Sequence, residues 1–486
     1  MPGSSQDRSF GFKSRQQKLM PYWRRFRKYT ARLSWWHVAM LVSPLVLWFL
    51  ATTYRSSRLK GLPDVPDPFD IHSASEMEFD PVLDAFEHYR KAVAALVPLS
   101  SENQVELQAA MQRGWSGAPE WLRKWRHDNE GALQEFRLGS ELPFAYYYQP
   151  GELTLTSDFS VGHRLHDLME LSRLETLRLL EGGDVRSAWS ACRSAVRCSR
   201  QVGRYGGIDE RLIGMSLYRG MIPTILLWAS SPQLKEGTLM VAVNDLKAMR
   251  RTTAIPSDNL RAEYLAFRRA MINPDSVAEP LEYLVGGSGW STTSVGLYFA
   301  GEPEISRRVL KLAWTNWLSQ CDRTSPHRGA VLPGKLSLFL PLGNEPAATR
   351  RIGTEEIEDW FRRTVLADAL MPNVSRFLAA HDTELAWQTL VETAVMLQYR
   401  RRQTKSLEAA VQRLTVQFKS DLPADPFALE GPLRIRIEPD LPETATLWSI
   451  GPDHIDDDGL VEVPEGGTKG DLVLHIRGTP PQRLQR

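Results

Sequence analysis

Residues 164–202 read RLHDLMELSRLETLRLLEGGDVRSAWSACRSAVRCSRQV, and this stretch decides the fold class. Leu165, Leu168, Leu171, Leu174 and Leu177 recur every three residues, one stripe of a helix. Gly182-Gly183-Asp184 interrupts the pattern and supplies Asp184 as the cap of a second helix. That second helix then places Val185, Ala188, Trp189, Cys192, Ala195 and Val196 at i, i+3, i+4, i+7 spacing. Two apolar stripes joined by a three-residue break predict a helical hairpin with its seam buried.

Helical spacing continues outward in both directions. Phe86, Tyr89, Val93 and Leu96 mark one amphipathic stretch, and Trp115, Trp121 and Trp125 belong to a second, where they read as packing residues. Leu212 to Trp228, Leu246 to Met271, Ile305 to Leu318 and Thr354 to Leu370 add helices, with a Pro/Gly-containing linker expected from Pro326 to Pro346. Two more helices are expected near 374–402 and 405–419, the second burying Leu407, Val411, Leu414 and Phe418. Leu433, Ile435 and Ile437 then alternate with Arg434, Arg436 and Glu438, the period of a strand. Leu447 to Ile450 and Leu472 to Ile476 are further strands. The expected fold is mainly α, a helical-hairpin body built as a bundle or short solenoid with a small antiparallel β element at the C-terminus.

An uncharged run near the N-terminus sets the expected topology. Leu33 to Tyr54 holds 22 residues without Asp, Glu, Lys or Arg. A helix of that length spans the roughly 30 Å hydrocarbon layer of a bilayer. Trp35, Trp36 and Tyr54 sit at its ends, where amphipathic rings favour the interface. Residues 1–32 carry nine Lys or Arg against one acid, Asp7, although the whole chain has a net charge of only +1. Basic residues before the run keep that end in the cytoplasm. Ala51-Thr52-Thr53 is a poor cleavage site, so an uncleaved anchor is favoured over a signal peptide. A second uncharged run, Tyr283 to Gly301, is rich in Gly and Ser and reads as a loop. The division that follows is a basic cytoplasmic tail (1–32), an anchor (33–54), an extended Pro-containing linker (55–79), a helical body (80–372), a helix-plus-β module (373–478) and a disordered tail (479–486).

Near the C-terminus, Asp425-Pro426-Phe427, Pro432-Leu433-Arg434, Leu447-Trp448-Ser449-Ile450-Gly451-Pro452-Asp453 and Asp456-Asp457-Asp458-Gly459 follow in order. This resembles the C-terminal region of the major pseudopilins of type II secretion, over about 80 residues near 380–460. It also resembles the tail of a broad, uncharacterised group of bacterial single-pass membrane proteins with helical bodies. In the pseudopilins the corresponding acidic loop binds calcium, so the resemblance implies Ca²⁺ at Asp453, Asp456, Asp457 and Asp458. The Gly-x-Tyr-Pro step of the pseudopilins is replaced here by Arg402-Gln403-Thr404-Lys405, and more than 300 residues separate anchor and tail, so a filament role is not implied. The 164–202 hairpin, for its part, resembles a tetratricopeptide-type unit, without a second copy at a fixed period.

Read from the residues alone, the four carboxylates within six residues suit a hard cation needing six to eight oxygens, or form a plain acidic turn. His454 among them reads as a surface side chain. His163, His166, Asp167 and Glu170 cluster on a helix start but lack a distant third ligand, and His381-Asp382-Thr383-Glu384 reads as helix surface. No nucleophile elbow, phosphate loop or dinucleotide fingerprint is present. Cys192, Cys198 and Cys321 are too few for a disulfide framework; Cys192 and Cys198 face differently on one helix, and a bond from either to Cys321 and three free thiols both remain open. The function expected is that of a membrane-anchored cell-envelope protein, a non-catalytic scaffold with a protein partner and no nucleic acid. The alternative is a type II membrane enzyme of glycosyltransferase kind, which would need a parallel sheet within 80–370.

Overall fold

The computed structural model describes residues 35–75, 80–272, 294–342, 352–417, 422–460 and 470–477. The basic tail 1–32, the first part of the second uncharged run and the terminal segment 479–486 lie outside the described residues. The chain is mainly helical, with a three-stranded antiparallel sheet near its C-terminus.

α1 (Trp35–Leu59) and α2 (Ile71–Ser75) lead into the first helical layer: α3 (Phe86–Ala95), α4 (Ser101–Gln112), α5 (Glu120–Asp128) and α6 (Glu130–Glu141). The hairpin follows as α7 (Ser160–Glu181) and α8 (Val185–Gln201). Gly183 takes φ +84°, a conformation that side chains resist, and Asp184 caps α8 by accepting the Ser187 N–H at 3.1 Å. Leu165, Leu168, Leu171 and Leu174 meet Ala188, Trp189, Cys192 and Ala195 in one buried core. α9 (Ile208–Ser230) packs on the hairpin, its Trp228 ring 4.7 Å from that of Trp189. α9 is long and apolar enough to cross a membrane by composition, yet 61% of its apolar window is buried, which makes it a core helix.

α10 (Glu236–Arg251), α11 (Pro256–Ile272), α12 (Ser294–Ala300), α13 (Glu304–Leu318), α14 (Thr354–Phe361) and α15 (Leu366–Leu370) complete the body before α16 (Val374–Thr404) and α17 (Leu407–Gln412). The apolar interior falls into two large clusters. One joins α3–α10 to the C-terminal half of α16, α17 and the sheet. The other gathers α11, α13, α14, α15, the loop around Leu338 and the first turns of α16. At 31 residues, or about 46 Å, α16 is long enough to belong to both. Val374, Phe377 and Leu378 enter one cluster, Leu390, Val391 and Leu397 the other.

Three local expectations change. Gly61–Pro68 is not a free spacer: Leu62 and Val65 are buried, and Asp64 pairs with Arg307 and Lys311. The expected linker after Pro326 is packed as far as Phe339, with Leu336, Leu338 and Phe339 buried around a bridge between Val331 and Phe339. The second uncharged run ends in a helix, α12. Each had polar or breaker-rich composition, and tertiary partners supplied what local periodicity lacked.

The sheet runs β1 (Arg434–Glu438), β2 (Leu441–Ser449), β3 (Leu472–Arg477), pairing Ile435 with Leu447 and Leu447 with Leu474. Its attachment depends on Asp425. That buried carboxylate accepts from Phe427 N (3.1 Å), Ser449 Oγ (2.6 Å), Ile450 N (3.0 Å) and Arg434 Nη1 (2.9 Å), which presses Phe427 against Ala386 of α16. Asp425→Ala strands several buried donors and should cost on the order of 3 kcal/mol. Thermal melting of the full chain should show a drop far larger than that of Asp457→Ala; equal drops would mean that Asp425 does not organise the sheet.

Candidate functional site: two clefts joined by a buried charge network

The middle of α16 carries His381, Asp382 and Glu384, all at most 5% exposed. This overturns the expectation of a helix surface there. They sit where α16 passes between the two apolar clusters. Glu384 accepts charged hydrogen bonds from Arg200 Nη1 and Arg211 Nη2, and both arginines are buried. Arg211 also donates to the Ser199 carbonyl at 3.0 Å, and the Arg200 guanidinium lies 4.0 Å from the Tyr218 ring centre. Burial works to raise the Glu384 carboxyl, but Arg211 and Arg200 overcome it and hold the group below the ordinary carboxylate range. Asp382 takes a two-pronged pair from Arg328, which also donates to the Cys321 carbonyl at 3.0 Å. Further along the helix Glu392 pairs with Arg250 at 2.9 Å.

Two clefts open from the ends of this network. Arg200 lines the first, of about 420 Å³, together with Arg193, Arg197 and Arg204. Arg328 and Asp382 line the second, of about 570 Å³, which lies between the 325–340 loop, α16 and the Phe427 turn. Ser325 Oγ is 3.2 Å from His454 Nε2 in that second cleft, and His454 Nδ1 is 2.8 Å from the Phe427 carbonyl. A carbonyl only accepts, so Nδ1 carries the proton and Nε2 is left to accept from the serine. The pair ties the loop to the C-terminal module. It has a carbonyl where a Ser-His-Asp triad has a carboxylate.

Of the four acidic-loop residues, Asp453 and Asp456 turn their carboxylates to separate partners, while Asp457 and Asp458 are held through backbone groups. Asp456 pairs with Arg434 and accepts from the Trp448 indole N–H at 2.9 Å. Asp453 accepts from Ile455 N and Gly470 N. Asp458 adopts φ +57° and gives its carbonyl to Arg436, while Asp457 N and Gly459 N donate to buried Asp471. The loop covers the Trp448 face of the sheet: a Cβ on Gly459 would approach that ring to 3.2 Å. Among the described residues no group of three or more His, Cys, Asp or Glu side chains is placed to hold a metal ion. On α7, His166 bonds to Ser216 Oγ at 2.8 Å and to the His163 carbonyl at 3.0 Å. Cys192, Cys198 and Cys321 are free and buried, and burial pushes the Cys192 thiol up to about 12.

The sequence reading missed the arginines. Arg193, Arg197 and Arg200 step by four and three residues on one face of α8, with Arg204 just past its end, and that spacing was available in the sequence. No family model matches the chain, and no curated protein or solved structure does either.

His381 gives the network a pH signature. Burial, with Arg211 and Arg328 nearby, lowers its pKa from 6.5 to about 4, against the opposing pull of Glu384. The unfolded chain therefore binds a proton that the folded chain refuses between those values. The stability from this group is complete above about pH 6.5 and is lost as pH falls toward 4, on the order of 3 kcal/mol in all. Buried Glu210, raised to about 8 by burial, slopes the opposite way, so the contribution must be read as a difference. Denaturation of wild type and His381→Gln from pH 4 to 7 should show a gap that widens with pH below 6.5; a constant gap would show that His381 is not held neutral.

Proposed function

We propose that this chain is a membrane-tethered cell-envelope protein, a non-catalytic helical scaffold that binds a partner outside the cytoplasm. The anchor is Leu33–Tyr54, with tail 1–32 inside and the body outside. What carries this reading is the surface of α1. Met40, Leu45, Leu47, Trp48, Phe49 and Leu50 are all more than half exposed along it, which water disfavours and lipid does not. At the foot of the same helix, Arg55 donates to the carbonyls of Tyr298 and Glu302, and Arg58 to that of Arg363. The body is thus pinned to the end of the apolar segment, which suits a load held close to a bilayer. The glycosyltransferase alternative would need a parallel sheet in the body. Among the described residues there, parallel pairing is limited to the bridge between Asp84 and Phe144.

Native membranes washed in alkaline carbonate should retain the full chain. Val46→Asp with Phe49→Asp should release it, since each acid at mid-membrane costs about 2.5–3.5 kcal/mol. Wild-type protein that washes free would end the proposal, and a reporter after residue 60 that faces the cytosol would reverse its topology.

The acidic loop enters this reading as a cover for the sheet. Asp456 already holds Arg434 and the Trp448 indole N–H, so saturating Ca²⁺ should leave the melting temperature unchanged. A rise that Asp456→Ala with Asp457→Ala abolishes would instead make the loop a calcium site.

A further inference from the structure

Cleft one concentrates positive charge that its own acids do not balance. Arg193, Arg197, Arg200 and Arg204 all line it. Arg193 and Arg197 share the single carboxylate of Glu141, and Arg200 shares Glu384 with Arg211. Asp245, the acid in the lining, has one oxygen committed to the Trp189 indole N–H at 2.7 Å. Arg204 lies 5.1 Å from the Tyr205 ring centre. Glu141 and Glu384 therefore each serve two guanidiniums, and the walls keep a positive surplus. Arg200 is 3% exposed, and its Nε–H is buried without a partner, as is that of Arg193. An unpaired buried donor on a cation carries a free-energy cost that an incoming anion would relieve. Leu142, Pro143 and Met249 supply an apolar part of the same wall.

We propose that this cleft binds a small phosphate-bearing ligand, its phosphate seated among the four arginines and its less polar remainder against Leu142, Pro143 and Met249. Guanidinium forks match phosphate oxygens two at a time, and a doubly charged group uses the surplus better than a single carboxylate does. The volume suits a small molecule. The phosphate can belong to a soluble compound or to a lipid headgroup, and the inference holds whether or not α1 lies in a bilayer.

The test uses the full chain in a neutral detergent at low ionic strength. It is titrated calorimetrically with pyrophosphate and, separately, with short-chain dihexanoylphosphatidic acid. Binding of pyrophosphate alone marks a soluble ligand, and binding of the lipid marks a headgroup; both support the cleft. Arg197→Gln with Arg204→Gln should weaken binding at least tenfold. Glu141→Gln should tighten it severalfold by freeing Arg193 and Arg197, which loss of a merely structural contact would not do. If the double variant fails to fold, Glu141→Gln carries the test by itself. Failure of both probes to bind, undiminished binding in the folded double variant, or no tightening in Glu141→Gln overturns the proposal.

Discussion

The structure depends on one constraint: a carboxylate, Glu384, held inside the protein by two arginines from elsewhere in the chain. A lone carboxylate in that position would cost several kcal/mol of desolvation. Arg200 comes from the end of α8 and Arg211 from the start of α9, so the charge is satisfied only when the hairpin, α9 and α16 are all docked. Apolar contacts along α16 tolerate sliding; a charge with two fixed partners does not. The network therefore supplies register to a helix that is long enough to serve two cores. Removing one partner of such a buried cluster typically costs about 3–5 kcal/mol, because the charges left behind stay buried.

The C-terminal sheet repeats the device at smaller scale. Asp425 gathers two backbone donors, a hydroxyl and Arg434, and Arg434 passes on to Asp456. The acidic loop is thereby folded over Trp448, with Arg436 5.3 Å from that ring centre. Of the loop's acids, Asp456 puts its carboxylate on Arg434, and Asp458 gives its backbone carbonyl to Arg436. A three-stranded sheet has too little apolar area to stand alone, and here one face meets the helical core while the loop covers the other.

Local periodicity made much of the architecture legible. The leucine stripe of α7, the Gly-Gly-Asp break and the apolar positions of α8 are self-contained signals, and so is the alternation at 433–438. The site was legible only in part. His381, Asp382 and Glu384 look like a solvated face because the arginines that neutralise Glu384 lie 184 and 173 residues away. The arginine face of α8 was visible in the spacing, but basic residues on a helix ordinarily meet water. What marks these as different is the apolar helix packing around them, which no window of sequence contains. The same gap explains the overreading of 61–68 and 326–342 as free connectors: their few apolar residues find partners far along the chain.

The charge arithmetic of the seam separates its two ends. At the Arg328 end, one guanidinium meets one carboxylate, and the neighbouring His381 is held neutral. That end is balanced, and its Ser325–His454 contact closes a gap between loop and sheet. At the Arg200 end, two guanidiniums meet one carboxylate, and a second pair shares Glu141. An ion network that served stability alone would gain from another acid at this end, because surplus buried charge is costly. The imbalance falls where α8 faces a cleft rather than where it faces the core. A surplus that opens onto a cavity can be neutralised from outside, and this is the physical difference between a cluster that locks a fold and one that can also receive a ligand.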